Sequence, residues 1–146
     1  MLDVIYAPTS NGTMPRFVER DVLLLRTLVG VQDIHTHAAT NVGGLVPMLR
    51  ERRRGRFGSL FWLSPYTAAQ WSVLPRAIRG SFGLICGGAE ARADPGTRTW
   101  RRVHRALARA DVASFVTEDL VTRSLRNGHV LPRSIHVGPT WVPEDV

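Results

Sequence analysis

The chain has 146 residues, with 19 basic and 12 acidic side chains and a formal charge of +7, and every basic residue is arginine rather than lysine. That length suits one domain spanning 1–146, since about 150 residues can bury roughly 68–70% of their extended surface. An apolar content of 44% argues against disorder, and the single cysteine, Cys86, excludes an intramolecular disulfide framework and a four-cysteine zinc site.

The N-terminus, Met1-Leu2-Asp3-Val4, has no basic leader before its apolar run and does not read as a signal peptide. No stretch approaches the roughly 18 apolar residues of a spanning helix. The expectation is a cytoplasmic protein, with any membrane contact peripheral and at the inner face.

Short β-like runs alternate with longer helical ones. Leu2 to Ala7 is apolar and β-branched, and Pro8 closes it. A polar turn, Thr9 to Thr13, leads to Pro15, which suits the first position of a helix. Phe17, Val18, Val22, Leu25, Leu28 and Val29 then recur at three- and four-residue steps until Gly30. Val31 to His35 reads as a second strand, Leu45 to Leu49 as a short helix, and Ser59 to Leu63 as a third strand. Ala68, Trp71 and Leu74 mark a helix that Pro75 should kink or end. Ser81 to Cys86 is a fourth strand, stopped by Gly87-Gly88. Trp100, Val103, Leu107 and Ala110 line a helix face, and Val112 to Val116 is a fifth strand. Thr117 can cap a helix through Leu125 that Asn127-Gly128 ends, and Ser134 to Val137 supplies a sixth strand.

Strands alternating with helices predict an α/β fold: a Rossmann-like, doubly wound, mostly parallel sheet of about six strands. In such sheets ligands bind beyond the carboxyl ends of the strands, where the strand order reverses. The candidate ligand residues are therefore those that leave strand ends: Asn11, Gly12 and Thr13 after the first strand, Ser64 and Tyr66 after the third. Gly87, Gly88 and Glu90 follow the fourth, and Thr117 and Glu118 the fifth. Free N–H groups at the helix starts favour an anionic or hydroxyl-rich ligand, and Glu90 could accept hydrogen bonds from sugar hydroxyls. The plainer readings are a simple turn at Asn11-Gly12, a packing device at Gly87-Gly88 and a solvated acid at Glu90.

Other chemistries lose support. There is no phosphate-binding G-x-x-x-x-G-K-[ST] loop, no G-x-G-x-x-G fingerprint after the first strand and no G-x-S-x-G elbow. His35 and His37 at i, i+2 on a strand share a side and could ligate a metal, but one of the pair making a polar contact at the crevice is the better reading. No metal site and no cofactor is expected. Cys86 ends an apolar strand and reads as an inert buried thiol rather than a nucleophile.

The arginines form two groups. Arg50, Arg52, Arg53, Arg54 and Arg56 make a run, while Arg98, Arg102, Arg105 and Arg109 make a helical stripe opposite the Trp100 face. Such patches suit phosphate groups of an anionic membrane surface or of nucleic acid, and a solvated face is the plain alternative. No helix-turn-helix, zinc finger or aromatic RNA-binding signature is present, which disfavours a nucleic-acid partner.

In its order of segments the chain resembles the N-terminal domain of family-4-like GT-B glycosyltransferases. Val4 to Thr13 followed by Phe17 to Asp21 looks like that family's first strand, small-residue loop and first helix. Leu84-Ile85-Cys86-Gly87-Gly88-Ala89-Glu90 looks like its fourth strand and loop, with Glu90 where an aspartate often stands. Leu107 to Val112 followed by Ser114 to Glu118 is similar to its recurrent arginine-alanine-aspartate passage. Ser134 to Pro139 and the tail to Val146 resemble the strand that leads to the interdomain linker.

The resemblance implies an acceptor-side domain that holds a sugar or lipid-linked acceptor. It also implies that the C-terminal domain, which binds the nucleotide sugar, is absent here. Catalysis would then need a donor-binding glycosyltransferase subunit as partner, and no catalytic residue is assigned. Trp141 and Val142 would offer apolar surface for docking. A non-catalytic binding or interaction module, or a truncated remnant, is the alternative expectation.

Overall fold

The computed structural model describes residues 2–27, 30, 32–51, 58–62, 65–88 and 92–138. Six strands, β1 (Leu2–Tyr6), β2 (Ile34–Ala38), β3 (Gly58–Trp62), β4 (Ser81–Cys86), β5 (Val112–Phe115) and β6 (Ser134–Val137), form one sheet. All neighbours are parallel, in the order β2-β1-β3-β4-β5-β6. Among the described residues the helices are α1 (Arg16–Thr27), α2 (Val46–Glu51), α3 (Pro65–Trp71), α4 (Arg76–Arg79), α5 (Arg98–Arg109) and α6 (Glu118–Arg126), with a 3-10 turn at Val42–Leu45 before α2. This is the expected Rossmann-like α/β architecture, and the sheet is wholly parallel. None of the described helices is long and apolar enough to cross a membrane.

Strand alternation divides the apolar residues between two cores of unequal size. One face of the sheet carries Val4, Tyr6, Ile34, Trp62 and Ile85, which pack against Val18 and Val22 of α1. The other carries Ile5, Phe61, Phe82, Leu84, Cys86, Ala113 and Phe115, covered by residues of α2, α3, α5 and α6. Phe61 sits at its centre, edge-on to Phe82 at 5.9 Å and tilted to Trp71 at 6.1 Å. Burying each such side chain contributes roughly 1.5–3 kcal/mol. Gly83 is required on the α1 side of β4, because a Cβ there would lie 2.8 Å from Val112 Cγ1 and 3.2 Å from Leu60 Cδ1.

The strand order follows from the crossovers. The chain leaves β1 for β2 in one direction, returns past β1 to β3, and continues one way through β6. The reversal therefore lies between β1 and β3.

The second strand begins three residues later than Val31 to His35 suggested. Leu2 pairs with Ile34 and Tyr6 with Ala38, so the polar His35-Thr36-His37 segment is its centre. As an edge strand it is covered on few sides, and its burial does not follow an apolar run. Pro75 heads α4 after α3 has ended at Trp71. The expected extension of α1 through Leu28 and Val29 lies outside the described residues, as do Val31, Leu63, Pro139, Trp141 and Val142.

Candidate functional site: the carboxyl edge and an arginine cleft

Parallel pairing brings Ala38, Tyr6, Trp62, Ile85, Phe115 and Val137 close to one edge of the sheet. The segments after β1, β4 and β5 all leave from this edge. At the reversal point the loop after β1 folds on itself. Gly12 N–H donates to Thr9 O at 2.8 Å, Thr9 N–H to Thr13 O at 2.9 Å, and the Thr9 and Thr13 hydroxyls are 2.7 Å apart. Gly12 closes this turn with φ +76°, a left-handed conformation that glycine adopts without strain. Asn11, Gly12 and Thr13 are exposed. Behind them, Val18 and Glu19 N–H both donate to Pro15 O as α1 begins, with Arg16 exposed in its first turn.

The floor of the reversal point is aromatic. Trp62, at the end of β3, packs against Phe17 at 4.7 Å and donates its indole N–H to the buried Asp21 carboxylate of α1. Asp21 was not legible as a functional or structural acid. Its place on the buried helix face, one turn from Phe17 and Val18, is the only sequence signal for it.

The remaining candidates divide. Gly87 is exposed, whereas Gly88 is buried at φ +129°, with Leu120 and Arg92 beside its α-carbon. Thr117 caps α6, its hydroxyl accepting from Leu120 N–H at 3.3 Å, and Glu118 lies exposed in the first turn. That acid favours the positive helix end. Ser64 and Glu90 lie outside the described residues.

Tyr66 lines a cleft with the arginines of α5. Its ring lies beneath the Arg102 guanidinium at 5.1 Å, and its hydroxyl donates to Thr99 Oγ1 at 3.4 Å. Tyr66, Ala69 and Gln70 of α3 face Arg98, Arg101, Arg102 and Arg105 of α5 across a cleft of about 440 Å³. Among the described residues none of these four arginines has a carboxylate partner. Gln70 accepts from Val42 N–H at 2.8 Å, which leaves its amide NH2 as the donor end.

The arginine stripe is thus not the set expected. Arg101 joins it, while Arg109 turns to the end of α3 and donates to Ser72 O at 3.2 Å. Of the other run only Arg50 lies among the residues whose side chains are described, and Arg52, Arg53, Arg54 and Arg56 lie outside them.

Two further groups resolve as structural. The Arg109-Ala110-Asp111 passage lies at the opposite, amino edge, where Asp111 accepts from Phe82 N–H at 3.0 Å and from Arg76 at 2.9 Å. Nearby, Arg79 is buried over the Phe82 ring and donates to Leu74 O and Gly80 O. Burial lowers its pKa, and Asp111 opposes that shift while Arg76 and Arg109 add to it.

His35 and His37 share a face, as their spacing required, and each has an aspartate partner. His35 pairs with Asp33 at 2.8 Å and His37 with the buried Asp3 at 2.9 Å. An aspartate one strand away satisfies His37 more simply than a ligand could. Among the described residues no cluster of three metal-ligating side chains occurs. Cys86 is buried in the larger core.

Compared with known proteins, the chain matches no family model, no curated protein and no solved structure.

Proposed function

We propose that this chain supplies the acceptor side of a sugar-transfer reaction, holding a hydroxyl-rich acceptor at the β1–β3 reversal point. The observation that carries this reading is the exposed Asn11-Gly12-Thr13 turn at that point, which leads from β1 into α1. The Asn11 carboxamide can donate to and accept from sugar hydroxyls, and the positive end of α1 favours an acceptor with an anionic group. The order of segments shared with the GT-B acceptor domain supports the same assignment.

Glycosyl transfer needs the acceptor hydroxyl held in line with the anomeric carbon and the leaving diphosphate stabilised. The β1 loop meets the first need. The second falls to a donor-binding partner chain, with the Arg50 to Arg56 run bringing the acceptor site to an anionic lipid surface. Exchanging that run for glutamine should weaken liposome binding, and unchanged binding would remove the membrane contact from the proposal.

The test is to recover the tagged chain from its native cells, identify what co-purifies, and assay both eluate and pure chain for transfer from nucleotide sugars. A stoichiometric donor-binding chain, with activity only when both are present and reduced in Asn11→Ala/Thr13→Val, is the expected result. Activity from the pure chain alone would overturn the division of labour. No partner and no transfer would leave the second reading, a binding module without chemistry. That reading is favoured by the Thr9, Thr13 and Thr117 hydroxyls, which the fold already engages.

A further inference from the structure

Helix α5 is built against its own electrostatics. Its sequence, RTWRRVHRALAR, contains five arginines and no acid. Arg98, Arg101, Arg102 and Arg105 fall at i, i+3, i+4 and i+7, which stacks them on one face where like charges repel. Arg98 also occupies the first turn, where the helix dipole disfavours a cation. A solvated surface helix would gain from acids at these places. Here the arginines instead line the concave side of a cleft whose opposite wall is Tyr66, Ala69 and Gln70.

We infer that the cleft between α3 and α5 is a binding site for a small ligand carrying two or more phosphoryl groups. Arg98 and Arg105 are seven helical steps apart, a span of about 10 Å, which matches a chain of linked phosphates rather than one. Guanidinium forks bind phosphate oxygens bidentately, and the α5 N-terminus adds partial positive charge of the same sign. Arg102 is already held over the Tyr66 ring at 5.1 Å, so its fork is oriented before any ligand arrives. The Gln70 NH2 supplies a neutral donor on the other wall.

Shape selects among polyanions. A volume of about 440 Å³ lies in the range of small-molecule sites, about 300–1,000 Å³. A membrane-binding helix face is convex and carries large apolar side chains to insert, whereas here the wall is arginine with Tyr66 as its one large ring. The site is separate from the β1 loop, and its ligand need take no part in sugar transfer.

Calorimetric titration of the full chain with tripolyphosphate at low salt tests the assignment. Saturable one-to-one binding is expected, with inorganic phosphate weaker. Arg98→Gln/Arg102→Gln and, separately, Arg101→Gln/Arg105→Gln should each weaken it by about tenfold or more, since each lost charge-assisted contact is worth about that factor. The control, Arg126→Gln/Arg133→Gln, removes the same charge from exposed residues outside the cleft and should change affinity less than about twofold. Circular dichroism should show all variants folded, because the exchanged arginines are exposed apart from the half-buried Arg102, whose aliphatic stem glutamine retains in part.

Equal losses in cleft and control variants would show diffuse attraction and overturn the site. So would binding to phosphatidylglycerol vesicles or to a single-stranded oligonucleotide with none to tripolyphosphate. Tripolyphosphate binding in a chain with no transfer activity would leave the inference standing and the acceptor reading fallen. Transfer activity without cleft-dependent binding would do the reverse.

Discussion

Single residues at the carboxyl edge hold its elements in place. Trp62 joins β3 to α1 through Asp21, a carboxylate that burial makes expensive to leave short of donors. Trp62→Phe keeps the ring against Phe17 and removes the N–H, so it should lower unfolding free energy by about 1–3 kcal/mol. Urea denaturation measures this, and a loss well under half a kilocalorie would mean that the bond contributes little. Gly88 is a matter of backbone shape rather than space. An added Cβ meets nothing nearer than 3.8 Å, but φ +129° strains any other residue. Gly88→Ala should therefore cost about 1–3 kcal/mol while core packing is unchanged. A neutral result would show that the loop relaxes to negative φ.

Among the elements, α5 and α6 show how capping sets helix starts. Thr97 and Thr117 cap them, each hydroxyl accepting from the N–H three residues on. At α6 the next two residues, Glu118 and Asp119, complement the dipole, and Asp119 pairs with Arg123 at 2.7 Å. Thr117→Ala should destabilise by about 1 kcal/mol and Thr117→Ser by a few tenths at most. If both variants were equally stable, the cap would not be the role of Thr117, and its hydroxyl would be open to a ligand. The two helices are tied by an aromatic stack, in which Trp100 lies 4.7 Å from His104 and 5.1 Å from His129. Its indole N–H donates to Asn127 O at 2.8 Å, at the C-terminal end of α6.

At the scale of the molecule, the positive charge is unevenly answered. The described ion pairs between arginine and carboxylate are exposed or half-exposed, and such pairs contribute little. Among the described residues, four α5 arginines have none. Without a polyanion, the net repulsion of a +7 chain should be relieved by salt. Raising sodium chloride from about 10 to about 150 mM shortens the screening length from roughly 30 to 8 Å and should raise the melting temperature. A falling melting temperature would mean that the attractive pairs outweigh the repulsion. The two cores carry the fold in unequal shares, since one face of the sheet packs on α1 and the other on α2, α3, α5 and α6.

Fold class was legible because parallel strands buried on both faces are written as short apolar runs, and the helices between them as three-and-four-residue stripes. Strands β4 and β6 have the limits read from the sequence, and Thr117 caps where its position indicated. The edge strand β2 was displaced by three residues, because pairing with β1, and not its own apolar content, sets its register. At the site, the sequence by itself determined which segments leave strand ends and that arginines recur at helical spacing along 98–105. Only the tertiary structure decided that Tyr66 lies under Arg102, that Arg109 turns from the other α5 arginines to Ser72, and that His37 pairs with Asp3. Each of these choices joins residues 30 or more positions apart. Local periodicity constrains only neighbours along the chain, whereas the stacking of one helix beside another selects which charges end up facing the same space.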